Sequence, residues 1–152
     1  MNYINGSELA NRRFIQLENG DLREVQGKYV PEHGETYYCL NDNVIVEGEN
    51  RSSRIDQWRL KHNLVFRTYE ECEDYKRFLE VLDEYSFDPN WDDAKQKKWS
   101  ISYTHGDKCI AYYYAHYIQY IGSCFESEEN ARAFVKAVGE EAVKRYMFDV
   151  WG

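Results

Sequence analysis

The chain has 152 residues, with 27 Asp and Glu against 19 Lys and Arg, and a net charge of −8. That length suits one domain with a buried core, and the acidic balance argues against the clustered Lys and Arg that a duplex-binding surface needs. No apolar run approaches the ~20 residues of a membrane span, and the opening MNYINGSELANRR carries no apolar leader, so a cytoplasmic protein without a membrane anchor is expected.

The N-terminal region, residues 1–30, is expected to be a hairpin. Residues 14–26 carry Asn19-Gly20 between two strand-like runs, and Asn-Gly supports the positive φ angles of a tight turn. The preceding NGSELANRR gives a weak signal for one helical turn, and Pro31 to Glu35 reads as a loop. A first unit spans 36–85. In it, TYYCL and VIVEG flank the turn-forming Asn41-Asp42-Asn43. Residues 49–54 read as a polar loop, and 55–66 lead into a strand ending at Phe66. Thr68 is placed to cap the next helix, with Glu71 completing a capping box. Cys72, Tyr75, Leu79 and Leu82 form its apolar stripe at helical spacing, and the helix is expected to end near Tyr85.

Residues 86–97 read as a connector. Asp88-Pro89 disfavours helix, and Asp92, Asp93, Lys95, Lys97 and Lys98 are expected to be solvated. The second unit, 99–148, starts with a strand at 99–104, turns at His105-Gly106-Asp107 and returns over 109–114. Tyr117 to Ile121 is expected to form a third strand. Ser127 caps a helix whose Ala131, Phe134, Val135 and Val138 face inward. Gly139 interrupts it, and Glu140 to Phe148 form a last helix with Ala142, Val143 and Tyr146 inward.

The two units align. Residues 63–79 match 122–138, pairing Phe66 with Phe125, Thr68 with Ser127, Glu70 with Glu129, Cys72 with Ala131 and Leu79 with Val138. The expectation is therefore a single α+β domain, 1–152, in which an N-terminal hairpin precedes two similar units of antiparallel strands plus helix. Phe66, Leu79, Leu82, Phe125, Phe134 and Val138 are the expected core.

No chemistry shows in the motifs. The phosphate-binding loop, the dinucleotide fingerprint, the nucleophile elbow and the paired-histidine zinc helix are all missing. His33, His62, His105 and His116 lack ligand spacing. Cys39, Cys72, Cys109 and Cys124 form no C-x-x-C pair and read as reduced thiols. Glu70-Glu71 and Glu128-Glu129 fall in first helical turns, where the helix dipole favours them. No catalytic residue, cofactor or metal is expected. The oddity is aromatic content, since 14 Tyr, 7 Phe and 4 Trp make 16% of the chain. On the returning strand Ile110, Tyr112 and Tyr114 point one way and Cys109, Ala111 and Tyr113 the other, so neither face is polar. Either the two sheets pack on each other or one face is a contact surface.

The segments GETYY at 34–38, NLVFRTYEECE at 63–73, DPNWDDAKQKKW at 88–99 and GSCFESEENARAFVKAVGEEAVKRYMF at 122–148 resemble a group of small accessory proteins. These are encoded by phages and prophages of Gram-positive bacteria. The resemblance covers roughly 31–148, departs at Arg67 and Tyr69, and leaves 1–30 unmatched. Its motifs are caps and core positions, so they imply a family and no mechanism. It implies an accessory protein of the kind that counters host defences. Joined to the charge and the aromatics, it suggests a non-catalytic inhibitor of a host defence protein, for example a CRISPR effector, whose surface is basic or nucleic-acid-binding. Trp99, Tyr103, Tyr112, Tyr114, Tyr117 and Tyr120 are the candidate contact face. The alternative is a binder that sequesters a nucleotide signal, with Trp99, Tyr103, Tyr112 or Tyr114 stacking on the base. Partner identity, contact face and oligomeric state are not legible.

Overall fold

The computed structural model describes residues 13–16, 22–25, 27–116 and 122–151. Among the described residues, three antiparallel two-stranded sheets and four helices make an α+β fold. β1 (Arg13–Gln16) pairs with β2 (Leu22–Val25), which is the expected N-terminal hairpin. Its Asn19-Gly20 turn, the helical turn expected before Arg13 and the third strand expected at Tyr117 to Ile121 lie outside the described residues. β3 (Thr36–Asn41) pairs with β4 (Val44–Glu49), with Asn41 opposite Val44. Asp42 and Asn43 sit between them at φ 46° and 64°, the left-handed pair that a two-residue hairpin turn requires. β5 (Lys98–Thr104) pairs with β6 (Cys109–Ala115).

The expected strand lead-in at 55–66 is a correction. Residues Arg54–Lys61 are instead a helix, α1. Its signal was present in the sequence as Ser53-x-x-Asp56, a capping box in which the Asp56 amide donates to the Ser53 hydroxyl at 3.2 Å and the Ser53 amide donates back to the Asp56 carboxylate at 3.1 Å. With only eight residues and one buried side chain, Asp56, α1 shows no apolar stripe to a periodicity search. The strand ending at Phe66 is reduced to a single bridge with Tyr38.

A bridge and helix-cap pattern recurs in the two units. Phe66 and Tyr38 exchange two hydrogen bonds, each of 2.9 Å, while Phe125 and Trp99 exchange two of 2.8 and 3.1 Å. Each phenylalanine thus joins the first strand of its hairpin, and the order bridge, first strand, second strand recurs. Two residues later, in each unit, the chain enters a helix through a hydroxyl cap. Thr68 accepts from the Glu71 amide at 3.2 Å to open α2 (Tyr69–Tyr85). Ser127 accepts from the Asn130 amide at 3.1 Å to open α3 (Glu128–Val138). The Glu71 carboxylate reaches back to the amide of Arg67 at 2.9 Å, one residue earlier than in a standard box. Gly139, at φ 87°, breaks the helical run, and α4 (Glu140–Phe148) follows.

The main core lies in the second unit. Phe125, Ala131, Phe134 and Val143 are fully buried, joined by Phe78, Ile101 and Val135. Leu79, expected in this core, is 37% exposed. Phe78 takes its place, because its ring meets Phe134 at 5.5 Å and Tyr146 at 5.0 Å. Those contacts turn α2 so that Cys72, Tyr75, Phe78 and Leu82 face inward, and Leu79 falls about 100° round the helix from Phe78. Leu82 and Val138 pack against the core half-buried, and Phe66 is buried as expected. Among the described residues the apolar clusters of the two hairpins are separate. β3–β4 lies on α2 and β5–β6 on α3.

The first unit closes differently. Tyr37, Cys39 and Val65 form a small buried apolar cluster beneath its hairpin. Around them runs a polar network centred on Asp56. The Tyr37 hydroxyl donates to Asp56 Oδ1 at 2.6 Å, Arg59 Nη1 donates to the Tyr37 oxygen at 3.0 Å, and the Ser53 hydroxyl and Arg51 amide donate to Asp56 Oδ2 at 2.6 and 3.1 Å. Gly48 packs on this tyrosine so closely that a Cβ there would stand 3.0 Å from Tyr37 Cζ.

Lys98 corrects the solvated connector. It is 1% exposed, and its ammonium donates to the carbonyls of Asp93, Gln96 and His116 at 2.9, 3.0 and 2.9 Å. All three N–H groups are used, which is what lets a charge sit inside the protein. The connector is thereby clipped to the second hairpin.

Candidate interaction surface

α2 carries seven acidic and two basic residues, a net −5 of the −8 on the whole chain. The inward turn of Cys72, Tyr75, Phe78 and Leu82 leaves Glu70, Glu73, Asp74, Glu80, Asp83 and Glu84 exposed. Helix stability does not account for this arrangement. Glu70 and Glu71 sit in the first turn, where the dipole favours them, but Asp83 and Glu84 sit near the C-terminal end, where it does not, and the last turn has no basic residue. Glu70 and Asp74, and Glu80 and Glu84, are like charges four apart, each spacing costing a few tenths of a kcal/mol. Arg77 gives partial relief, 3.9 Å from Asp74.

Exposed apolar groups occur at the head of α2 and on α1. Tyr69, the first residue of α2, is 48% exposed, and its ring meets Tyr38 edge-on at 6.3 Å. On α1, Ile55 and Trp58 are 51% and 52% exposed, one turn apart, and Trp58 leans on His62 with ring centres 4.7 Å apart. Sequence reasoning missed this pair because it put the segment in a strand lead-in, where Ile55 and Trp58 do not share a face.

Of the six contact residues expected from sequence, four lie on the second hairpin. The register places Trp99 opposite Tyr114 and Ile101 opposite Tyr112, so Trp99, Tyr103, Tyr112 and Tyr114 share a face of β5–β6. Trp99 and Tyr112 pack half-buried against the main core, and Tyr112 lies under the Arg132 guanidinium at 4.2 Å. Tyr103 meets Phe148 at 6.1 Å and His105 at 4.9 Å. Tyr114 is 48% exposed, against Trp99 at 5.0 Å and under the Lys97 ammonium at 4.7 Å. Tyr117 and Tyr120 lie outside the described residues.

The titratable groups are poised for structure. Burial pushes the Cys72 thiol up to about 11 and raises Cys39 and Cys124 as well, so these are poor nucleophiles near neutrality. All four cysteines are free. The Asp56 carboxyl is held well below the usual carboxylate range, first by the Ser53 hydroxyl and next by Tyr37, with burial opposing both. Among the described residues no His, Cys, Asp and Glu cluster is arranged to hold a metal ion, and no helix is long and apolar enough to cross a membrane. Comparison with protein-family models, curated proteins and solved structures gives no match.

Proposed function

We propose that this protein works without turnover, by laying the acidic face of α2 on a basic surface of a larger host protein. The observation that carries the reading is the retention of Asp83 and Glu84 at the end of a helix whose dipole disfavours them, beside like-charged neighbours at the spacing of one turn. A basic surface relieves that repulsion on contact and speeds encounter. Rim charge alone adds little affinity, so an apolar anchor is needed, and Tyr69 at the head of the same helix supplies one. The resemblance to phage accessory proteins supports a host defence protein, with a groove for nucleic acid, as the partner. Occupancy of that groove inhibits the partner.

The test is affinity purification of the tagged chain from a Gram-positive bacterial lysate, with mass spectrometry of what is retained. The wild type should hold one basic protein near equal stoichiometry, and the triple variant Glu73→Lys/Glu80→Lys/Asp83→Lys should release it. Raising salt toward 0.5 M, where charges are screened within about 4–5 Å, should weaken the complex without abolishing it. Equal retention by the triple variant would sink the reading.

A further inference from the structure

α1 has an outer arc that the core does not use. At about 100° per residue, Arg54, Ile55, Trp58 and Lys61 fall within roughly 120° of arc, and all four are exposed. The one acidic residue of the helix, Asp56, points the other way and is buried. Among the described residues neither Arg54 nor Lys61 makes an ion pair, whereas Arg51, just before the helix, is held by Glu49 at 3.1 Å. In a chain of net charge −8, this arc is an apolar pair bracketed by two cations.

The arc has a complement on the same chain. Leu79, turned away from the core, is exposed on α2 beside Glu80 and Asp83. These three fall within about 100° of arc. One surface is therefore apolar with positive flanks and the other apolar with negative flanks. All of these side chains are exposed in the protomer, so a pairing of the two surfaces is made between copies. Other occupants fit the α1 arc less well. A duplex is repelled by the net charge of the chain, and a basic protein is repelled by the arc itself.

We propose that α1 docks on α2 of a second copy of this chain, with Trp58 against Leu79 and with Arg54 and Lys61 against Glu80 and Asp83. The eight residues of α1 span about 12 Å, so one contact is small, and a two-fold axis makes it twice. The dimer is accordingly weak. It also covers the face of α2 on which the basic partner was placed, so self-association and partner binding exclude each other. The two readings are tested apart, because this one needs only the purified chain.

The test is sedimentation velocity of the full chain from micromolar to millimolar concentration. The wild type should pass from monomer to dimer. Salt at about 0.5 M, which shortens screening to roughly 4–5 Å, should move the midpoint to higher concentration. Trp58→Ala should weaken the dimer about tenfold or more. Arg54→Glu/Lys61→Glu and Glu80→Lys/Asp83→Lys should each be monomeric alone. An equimolar mixture of the two should associate, because each acidic face then meets a basic one. The substituted residues are all exposed, and far-UV circular dichroism matching the wild type checks that both variants fold. A wild type that stays monomeric at millimolar concentration overturns the proposal whatever the variants do. So does a dimer that the α1 variant leaves unchanged, or a mixture of folded variants that does not associate. Cosedimentation of a monomeric wild type with phosphatidylglycerol vesicles, lost in the α1 variant, would also overturn it and give the arc to a lipid surface.

Discussion

The first and second units share a strand order, a bridging phenylalanine and a hydroxyl helix cap, and they differ in what fills the space beneath the hairpin. The second unit fills it with Phe125, Phe134, Ala131 and Val143, all fully buried. The first has a smaller apolar cluster of Tyr37, Cys39 and Val65, and inserts α1 to carry Asp56 and Arg59 to the Tyr37 hydroxyl. Apolar packing is indifferent to pH and tolerant of direction. A hydrogen-bonded carboxylate is neither, and it needs every partner in place. One repeated frame is thus closed in two ways, and the polar way leaves α1 with an outer face, Ile55 and Trp58, that the core does not use.

The largest effect that separates the two closures is expected in the second unit. Phe134→Ala removes a ring with no exposed surface that touches Phe78 and Phe125, each at 5.5 Å. It should cost about 3–5 kcal/mol in a urea unfolding curve. A curve that does not move would mean the core is centred elsewhere.

Next comes the polar closure. Asp56→Asn should cost roughly 1.5–3 kcal/mol at pH 6, since it weakens hydrogen bonds to a charged acceptor. The depressed carboxyl gives this interaction a pH signature. In the unfolded chain Asp56 titrates near the usual carboxylate value of about 4. Its contribution is complete above that value and is lost as pH falls toward the lower folded value, because the unfolded state then binds the proton more readily. Stability measured from pH 6 down to pH 3 should therefore fall less steeply in Asp56→Asn than in the wild type. Parallel slopes would show that Asp56 is not the acid-sensitive group of the first unit.

The smallest effect tests what the units share. Thr68→Ala and Ser127→Ala should each cost about 1 kcal/mol, by the same lost bond to a helix amide. Unequal costs would show that the two caps are equivalent in geometry only.

Much of the frame was legible in the sequence because it is written in local chemistry. Asp42-Asn43 specifies a tight turn, Thr68 and Ser127 specify helix starts, and Gly139 specifies a break, each through backbone preferences that act within a few residues. α1 was legible only in its cap, since a short helix with one inward carboxylate has no hydrophobic period. The acidic face of α2 could be counted from sequence but not oriented, and the expected aromatic face on β5–β6 proved to be shared with the core at Trp99 and Tyr112.

The sequence by itself determined the turns, the caps, the repeat and the charge of this protein, because those follow from side chains acting on their own backbone. Only the tertiary structure decided that Phe78 and not Leu79 enters the core, that Lys98 is held by three carbonyls, and that Asn63 and Arg145 line one cleft. Each of these depends on partners distant in the chain. Phe134 and Tyr146 turn α2, the carbonyls of Asp93 and His116 converge on Lys98, and α4 brings Arg145 beside the end of α1. Such convergence is set by packing, and packing has no local signature to read.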